Sequence, residues 1–278
     1  MHTFETPEPT TVVVRTPAGR VTVTAEDTDL TTVEVTPLGS AGADVVDQTL
    51  VEQQGRSVVV DVPRHRAGLF RQGPAVAIAI TCPAGSLLEV KAEASDVRAI
   101  GMFEHALVTT GSGDIDVETV SGAAKLKTGS GSVSAGQVDE GLMVTTGSGN
   151  VSVQQSGRSA NLKAGSGDIR IGELAGEVVA KSGSGDVEVG RLGGALFTKS
   201  GSGSLTVRHA ASGSVKATRA SGDISIGVEE GTTAWLDVST LSGRVSQELG
   251  ESPAPREGQK RVEITAHTVS GDLRVHRS

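Results

Sequence analysis

The sequence predicts an all-β fold, a single-stranded β-solenoid (β-helix) with about 18 residues per coil, from three observations. Apolar and polar residues alternate in short runs, which is typical of strands with one buried face. Glycine is abundant, at 37 residues, while aromatic residues make up only 2% of the chain. A Gly-Ser-Gly string recurs every 18 residues, at Gly111, Gly129, Gly147, Gly165, Gly183 and Gly201.

Each repeat divides into two halves, and each half predicts one short strand after a turn of small residues. In the first half the inward positions are β-branched, as at Ile115 and Val117, and in the second half they include Leu126 and Leu162. One coil of 18 residues cannot enclose a core by itself. Coils stacked at about 4.8 Å would bury both inward faces.

The organisation along the chain changes near residue 92. Residues 1–92 contain strands separated by Pro and Gly turns, and they predict irregular β coils that cap the solenoid. Residues 93–278 predict the regular repeats, and the whole chain is expected to form one continuous domain. The stretch from 250 to 260 predicts a loop, after which residues 262–266 and 273–275 are expected to complete the stack.

Two other solenoid types with similar coils fit the residues poorly. The hexapeptide helix needs an aliphatic residue every six positions, but six steps from Ile115 reach Ser121 and then Lys127. The calcium-binding roll needs oxygen ligands in both turns of the coil. The second half of the repeats contains hardly any Asp, so the sequence predicts no metal site of this kind and no cofactor.

The recurring Ser-Gly-Asp-Ile/Val motif, with versions at Gly113-Asp114-Ile115 and Ser270-Gly271-Asp272, resembles a bacterial β-strand-repeat family of unknown function. Its members carry the name "putative adhesin" (domain of unknown function 4097). The segments that start at Arg15 and at Pro83 resemble the same family. The resemblance covers most of the chain and implies a right-handed β-helix without established catalytic residues.

Composition excludes several function classes. The net charge of −8 and the few aromatic residues argue against a nucleic-acid reader. Cys82 is the single cysteine, so no internal disulfide or Cys-rich zinc site is expected. No apolar run is long enough to span a membrane and the first 16 residues lack a signal pattern, which favours the cytoplasm.

Two polar columns recur on the predicted coils. The position after the glycine turn often carries Asp, as at Asp168 and Asp186, and we expect these side chains to bond turn amides; a cation ladder is the alternative. A column of lysines lies at an outward position of the second strand of the repeat. It is expected to be a solvated face, with an anion-binding stripe as the alternative; its members are Lys127, Lys163, Lys181 and Lys199.

Two further features are candidates for interaction. A second outward column reads Lys125, Met143, Asn161, Val179 and Phe197. It is predicted to be an exposed apolar series, with Met143, Val179 and Phe197 as the candidate residues. A loop before residue 75 combines cations with apolar side chains, which predicts either a docking element for a partner or a plug for the cap. Its candidate residues are Arg64, His65, Arg66, Leu69, Phe70 and Arg71.

These features favour a non-catalytic scaffold that binds a protein partner or a second copy. The scattered histidines and the absence of a nucleophile beside a base predict no enzyme. One alternative is a self-assembling structural protein that resembles bactofilins. A minor alternative is a carbohydrate-binding or carbohydrate-active β-helix.

Overall fold

A computed structural model of the chain describes residues 1–39, 42–64, 75–250 and 260–278. Strands occupy most of these residues, and one short helix, α1, spans Ala43–Val46. The chain separates into two compact units, Met1–Asp139 and Glu140–Ser278. The sequence places a division at residue 92 instead, and that division stays a prediction.

Unit 1 is built from parallel strands with a few antiparallel additions. Its strands are β1 (His2–Glu5), β2 (Thr11–Glu26), β3 (Leu30–Leu38), β4 (Leu50–Gln54), β5 (Ser57–Asp61), β6 (Ala75–Pro83), β7 (Leu87–Phe103), β8 (His105–Thr109), β9 (Ile115–Val120), β10 (Ala124–Lys127) and β11 (Val133–Val138).

The coils of unit 1 form two walls of parallel strands. One wall has the order β5, β2, β7, β8, β10, and the other has the order β6, β2, β7, β9, β11. The long strands β2 and β7 contribute to both walls. Val97 lies over Ile115, and Ile115 lies over Val133, so each step is one 18-residue repeat.

Antiparallel strands cover the first coil of unit 1. Strand β4 pairs with β5, strand β3 pairs with β6, and β1 pairs with the far side of β3. The helix α1, which the sequence did not predict, follows β3 and buries Val45. The outer backbone groups of β5 and β6 therefore have partners from the same chain, which removes an edge that favours aggregation.

Unit 2 consists of parallel strands. They are β12 (Gly141–Thr146), β13 (Val151–Ser156), β14 (Ser159–Ala164), β15 (Ile169–Leu174), β16 (Glu177–Ser182), β17 (Val187–Leu192), β18 (Ala195–Ser200), β19 (Leu205–Ala210), β20 (Gly213–Ser221), β21 (Ile224–Val228), β22 (Thr233–Ser242), β23 (Val245–Glu248), β24 (Arg261–Ser270) and β25 (Leu273–Arg277).

The last coil in the sequence is not the last coil in the stack of unit 2. One wall has the order β12, β14, β16, β18, β20, β24, β22, and the other has the order β13, β15, β17, β19, β21, β25, β23. The expectation that residues 262–275 complete the stack is therefore wrong. Strands β22 and β23 form the outermost coil, and β24 and β25 lie beneath them.

Equivalent positions of successive coils pack on one another, which confirms the predicted β-solenoid. In unit 2 the inward row of one wall is almost fully buried; it contains Val151, Ile169, Val187, Leu205 and Ile224. These aliphatic side chains form a continuous spine because the 18-residue repeat brings each of them to the same place in its coil. Their burial is the main source of stability, since a single coil has no core.

The second glycine of each turn is required by the close stacking of coils. A Cβ atom on Gly185 would lie 2.0 Å from the carbonyl oxygen of Gly167, one coil earlier. Gly185 does not have a positive φ, so sterics alone exclude a side chain there. Later in the stack Gly203 and Gly222 combine similar contacts with φ values of +106° and +125°, which also favour glycine.

Candidate interaction surface

The candidate apolar column lies on the outward face of unit 2, on strands β12, β14, β16 and β18. Met143, Asn161, Val179 and Phe197 are successive register partners. Met143 is 46% exposed and Phe197 is 38% exposed. Val179 between them is half-buried. The alternation of each strand turns these residues outward while their neighbours enter the core, so the three candidate residues share one surface.

The lysine column runs beside the apolar column, two residues further along each strand. Lys163 lies over Lys181, and Lys181 lies over Lys199, at successive strand spacings. All three side chains are exposed. Among the described residues none of the three forms an ion pair, whereas several arginines of the chain do. Three adjacent cations without counter-charges therefore line one edge of the apolar column.

Arg219 adds a buried cation to the same corner of unit 2. It is the register partner of Ser200, which in turn pairs with Ser182, in an inward row of small hydroxyl residues. Its Nη1 donates to the carbonyl oxygen of Gly203 at 2.6 Å. Its Nε and Nη2 have no hydrogen-bond partner among the described residues, and the side chain is only 2% exposed.

Burial lowers the pKa of the Arg219 guanidinium to about 10, an effect that the charge of Asp186 opposes. The group stays charged at neutral pH. It lines a groove of about 620 Å³ together with Lys163, Lys181 and Lys199. Because a buried charge is poorly screened, Arg219 raises the positive potential of this groove, and the groove favours negative charge.

The Asp ladder has a structural role in both units. Oδ1 of Asp168 accepts a hydrogen bond from the backbone N–H of Asp186, and Oδ1 of Asp186 accepts one from Ser204. Asn150 makes the same bond to the amide of Asp168. The side chains thus join each turn to the turn of the next coil, which is the expected bonding of turn amides.

The sequence of almost the whole chain matches a known protein family. The model of the family described as "Toastrack DUF4097" matches residues 10–276. The chain belongs to this family. No curated protein matches the chain.

Two solved structures are similar to this Toastrack chain. One is a "putative adhesin" from Bacteroides fragilis NCTC 9343, with 15% identity and a TM-score of 0.41, over 98% of this chain and 95% of that one. The other is a "putative cell adhesion protein" from Clostridium sporogenes ATCC 15579, with 10% identity and a TM-score of 0.27, over 100% of this chain and 98% of that one.

Most of the candidate loop lies outside the described residues of the Toastrack chain. This applies to His65, Arg66, Leu69, Phe70 and Arg71. Arg64 is described, and its Nε lies 2.9 Å from Oε1 of Glu93, with both side chains largely exposed. The ion pair holds Arg64 against the first strand segment of β7.

Sequence reasoning missed two polar features of the Toastrack chain. One is Arg219, whose row contains Ser200, Ser182 and Ala164 in the earlier coils; a single Arg in an alternating run gave no signal of its burial. The other is an exposed pair on the outermost coils, in which Ser239 Oγ lies 2.8 Å from Nδ1 of His267. Among the described residues no carboxylate bonds the other ring nitrogen, and the pair lacks the third member of a catalytic triad.

Neither a metal-ligand cluster nor a membrane-spanning helix is found in the part of the chain that the structure describes. No group of three or more His, Cys, Asp or Glu side chains is placed to hold a metal ion there. Within the same residues no helix is long and apolar enough to cross a membrane. Cys82 is buried, and burial raises the pKa of its thiol from 9.0 to about 11, so a reactive thiolate is disfavoured at neutral pH.

Proposed function

We propose that this Toastrack protein is a non-catalytic interaction scaffold, and that the face of β12, β14, β16 and β18 binds an acidic protein partner. The observation that carries the proposal is the parallel course of the apolar and lysine columns. Phe197 and Met143 offer apolar anchors, while Lys181 and its two neighbours offer charges that no carboxylate of the described chain neutralises. An acidic segment with apolar side chains complements both columns.

The physical argument for a partner is the combination of the two columns. A single exposed apolar residue is common on protein surfaces and carries little meaning. Here the strand register aligns the apolar residues on successive parallel strands of one wall, so one extended segment could contact all of them. Arg219 beneath the groove adds a further positive charge that an acidic segment would complement.

The experiment is site-specific photo-crosslinking in cells that express the protein. A benzoylphenylalanine at position 197 is compared with one at position 154, where Gln154 is exposed on the other wall of unit 2. We expect a crosslinked acidic protein at position 197 only. The partner is then purified, and its dissociation constant is measured against the wild type and the Lys163→Ser, Lys181→Ser, Lys199→Ser triple variant.

We expect the dissociation constant of the triple variant to be at least about tenfold higher than that of the wild type. We also expect the affinity of the wild type to fall as the salt concentration rises. Equal crosslinking at both positions would contradict the proposal. A partner whose affinity is the same for the triple variant would contradict the role of the lysine column.

A further inference from the structure

Strand β22 has an unpaired outer edge among the residues that the structure describes. It pairs with β24 on one side, from Thr233 to Ser242, and with no described strand on the other. The strand is ten residues long, and Asp237 is its only charged residue. It contains no Pro or Lys, which are residues that usually protect an edge strand from pairing. Alternate N–H and C=O groups therefore face outward along its length.

The core of unit 2 is incompletely covered at this coil. Leu236 and Val238 face inward but are only half-buried, and Val245 on β23 is 40% exposed. Their register partners one coil deeper, Ile264 and Leu273 among them, are fully buried. The outermost coil thus leaves aliphatic side chains in water that every inner coil buries.

The outward face of β22 also carries two exposed apolar side chains. Trp235 is 60% exposed and Leu241 is 85% exposed. In unit 1 the outer edges of β5 and β6 are covered by antiparallel strands of the same chain, as described above. No described strand covers the outer edge of β22 in this way. The edge therefore combines free backbone groups with exposed apolar side chains, as a surface for strand pairing does, but has no partner among the described strands.

We propose that β22 pairs antiparallel with β22 of a second copy of this chain, about a two-fold axis at Val238. Inward residues must meet inward residues across such a pair, so the axis falls on a residue and not between two. An axis at Asp237 would place two carboxylates opposite each other, which is unfavourable. An axis at Val238 pairs Val238 with itself and Asp237 with Ser239 of the second copy.

The register about Val238 also matches the exposed apolar residues. It places Trp235 of one copy opposite Leu241 of the other, twice, because the axis repeats the contact. On the inward face Leu236 meets Thr240. The strand therefore covers its own exposed side chains when it pairs with an identical strand, which no neighbouring register achieves for both Trp235 and Leu241.

The pairing forms a closed dimer. A two-fold contact uses the same patch on both copies, so the edge of β22 is consumed and no further copy can add there. The second copy thus explains both the unpaired edge and the half-exposed core residues. It also differs from the filaments that a bactofilin-like assembly would form.

Trp235 is the single Trp of the chain and reports on the contact directly. We expect the full-length protein to sediment at twice the mass of its 28.2 kDa chain. On dilution to the monomer the tryptophan emission should shift to longer wavelength as Trp235 becomes exposed to water. Leu241→Lys should give a monomer at all concentrations. Met102→Lys, at an apolar residue of unit 1 that is 48% exposed, should remain a dimer.

Cysteine crosslinking tests the register. Val238→Cys is expected to form an intermolecular disulfide faster than Asp237→Cys, because only residue 238 lies on the axis. The native Cys82 is buried and does not interfere. Equal rates would overturn the register about Val238.

Three results would overturn the proposal itself: a wild-type monomer, filaments, or a dimer that Leu241→Lys leaves intact. A wild-type monomer whose Trp235 emission is already at short wavelength would indicate that the same chain covers the strand. Phe197→Ser should leave the β22 dimer unchanged but should weaken binding of the proposed acidic partner. Failure of one proposal is therefore distinguishable from failure of the other.

Discussion

Oδ1 of Asp114 accepts a hydrogen bond of 2.8 Å from the backbone N–H of Ser132, the residue in the same place one coil later. Asp114 itself donates its backbone N–H to Oδ1 of Asp96, so the bond recurs along the stack. Each side chain satisfies an amide at the turn, where the strand ladder is interrupted. The row therefore joins coils at their corners, in addition to the parallel strands that join them along the walls.

Replacing Asp114 tests this bond. Asp114→Ala is expected to lower the free energy of unfolding by about 1 kcal/mol, because the amide of Ser132 loses its acceptor. Asp114→Asn should stay close to the wild type, since Asn150 makes the equivalent bond in unit 2. Urea denaturation measures both variants. An Asn variant as unstable as the Ala variant would show that the negative charge, and not the acceptor oxygen, is required.

A charge in the aliphatic spine should unfold several coils together. Ile169 is fully buried between Val151 and Val187. Ile169→Asp is expected to cost more than about 4 kcal/mol, because it buries a carboxylate without a partner. Ser152→Asp, at an outward position, should change stability by less than about 0.5 kcal/mol. Thermal melting followed by circular dichroism compares them, and equal melting temperatures would contradict the inward assignment.

A glycine packed closely against the preceding coil should be more sensitive to substitution than a glycine with room for a side chain. Gly185→Ala is expected to destabilise unit 2 by about 1–3 kcal/mol, because the added methyl group overlaps the carbonyl oxygen of Gly167. At Gly193 the nearest atom to an added Cβ is the carbonyl oxygen of Leu174, at an ordinary 3.5 Å. Gly193→Ala should therefore change little. Calorimetry gives both values, and similar losses would argue against close coil stacking as the cause.

The buried guanidinium is expected to reduce stability. Arg219→Met keeps most of the side-chain volume and removes two donors that have no partner among the described residues. We expect the free energy of unfolding to rise by about 1 kcal/mol. Arg219→Ala is the control, because it removes the same charge but leaves a cavity. A Met variant less stable than the wild type would indicate that the bond to Gly203 outweighs the unpaired donors.

Cys82 should make stability fall at high pH. Burial, the largest cause, raises the pKa of its thiol to about 11, and the nearby charge of Glu26 adds to this while a hydrogen bond with Ser86 opposes it. Between about pH 9 and pH 11 the unfolded chain loses this proton and the folded chain keeps it, so the unfolded state gains stability. Urea melts of wild type and Cys82→Ala should diverge in this window. Parallel curves would show that the thiol is accessible in the folded protein.

Much of the fold could be predicted because the 18-residue repeat is regular at the positions that form the core. For residues such as Ile115 and Ile169, the 18-residue period assigns the wall of the coil. The alternation of apolar and polar residues assigns the inward face. The outward positions of Met143 and Phe197 followed from the same period. The short Asp, Asn and Ser side chains at the turn also indicated their bonding to amides, since these residues share that chemistry.

The order of the last coils could not be predicted from the sequence. Residues 233–248 and 261–277 both carry strand patterns, and alternation does not state which of them contacts β20 and β21. Arg219 was equally hidden, because a single Arg in an alternating run suggests a solvated side chain. Its burial depends on the corner of the coil, which only the three-dimensional stacking defines.

The insertion of β24 and β25 beneath β22 and β23 affects how the protein folds during translation. The ribosome releases residues 233–248 before residues 261–277, yet the earlier segment lacks its native partners β24 and β25 until the later one is in place. Growth of the stack in step with synthesis must therefore pause near residue 228. The final two coils assemble only after the C-terminal strands have emerged, and the apolar residues of β22 are exposed to chaperones and to other nascent chains in that interval.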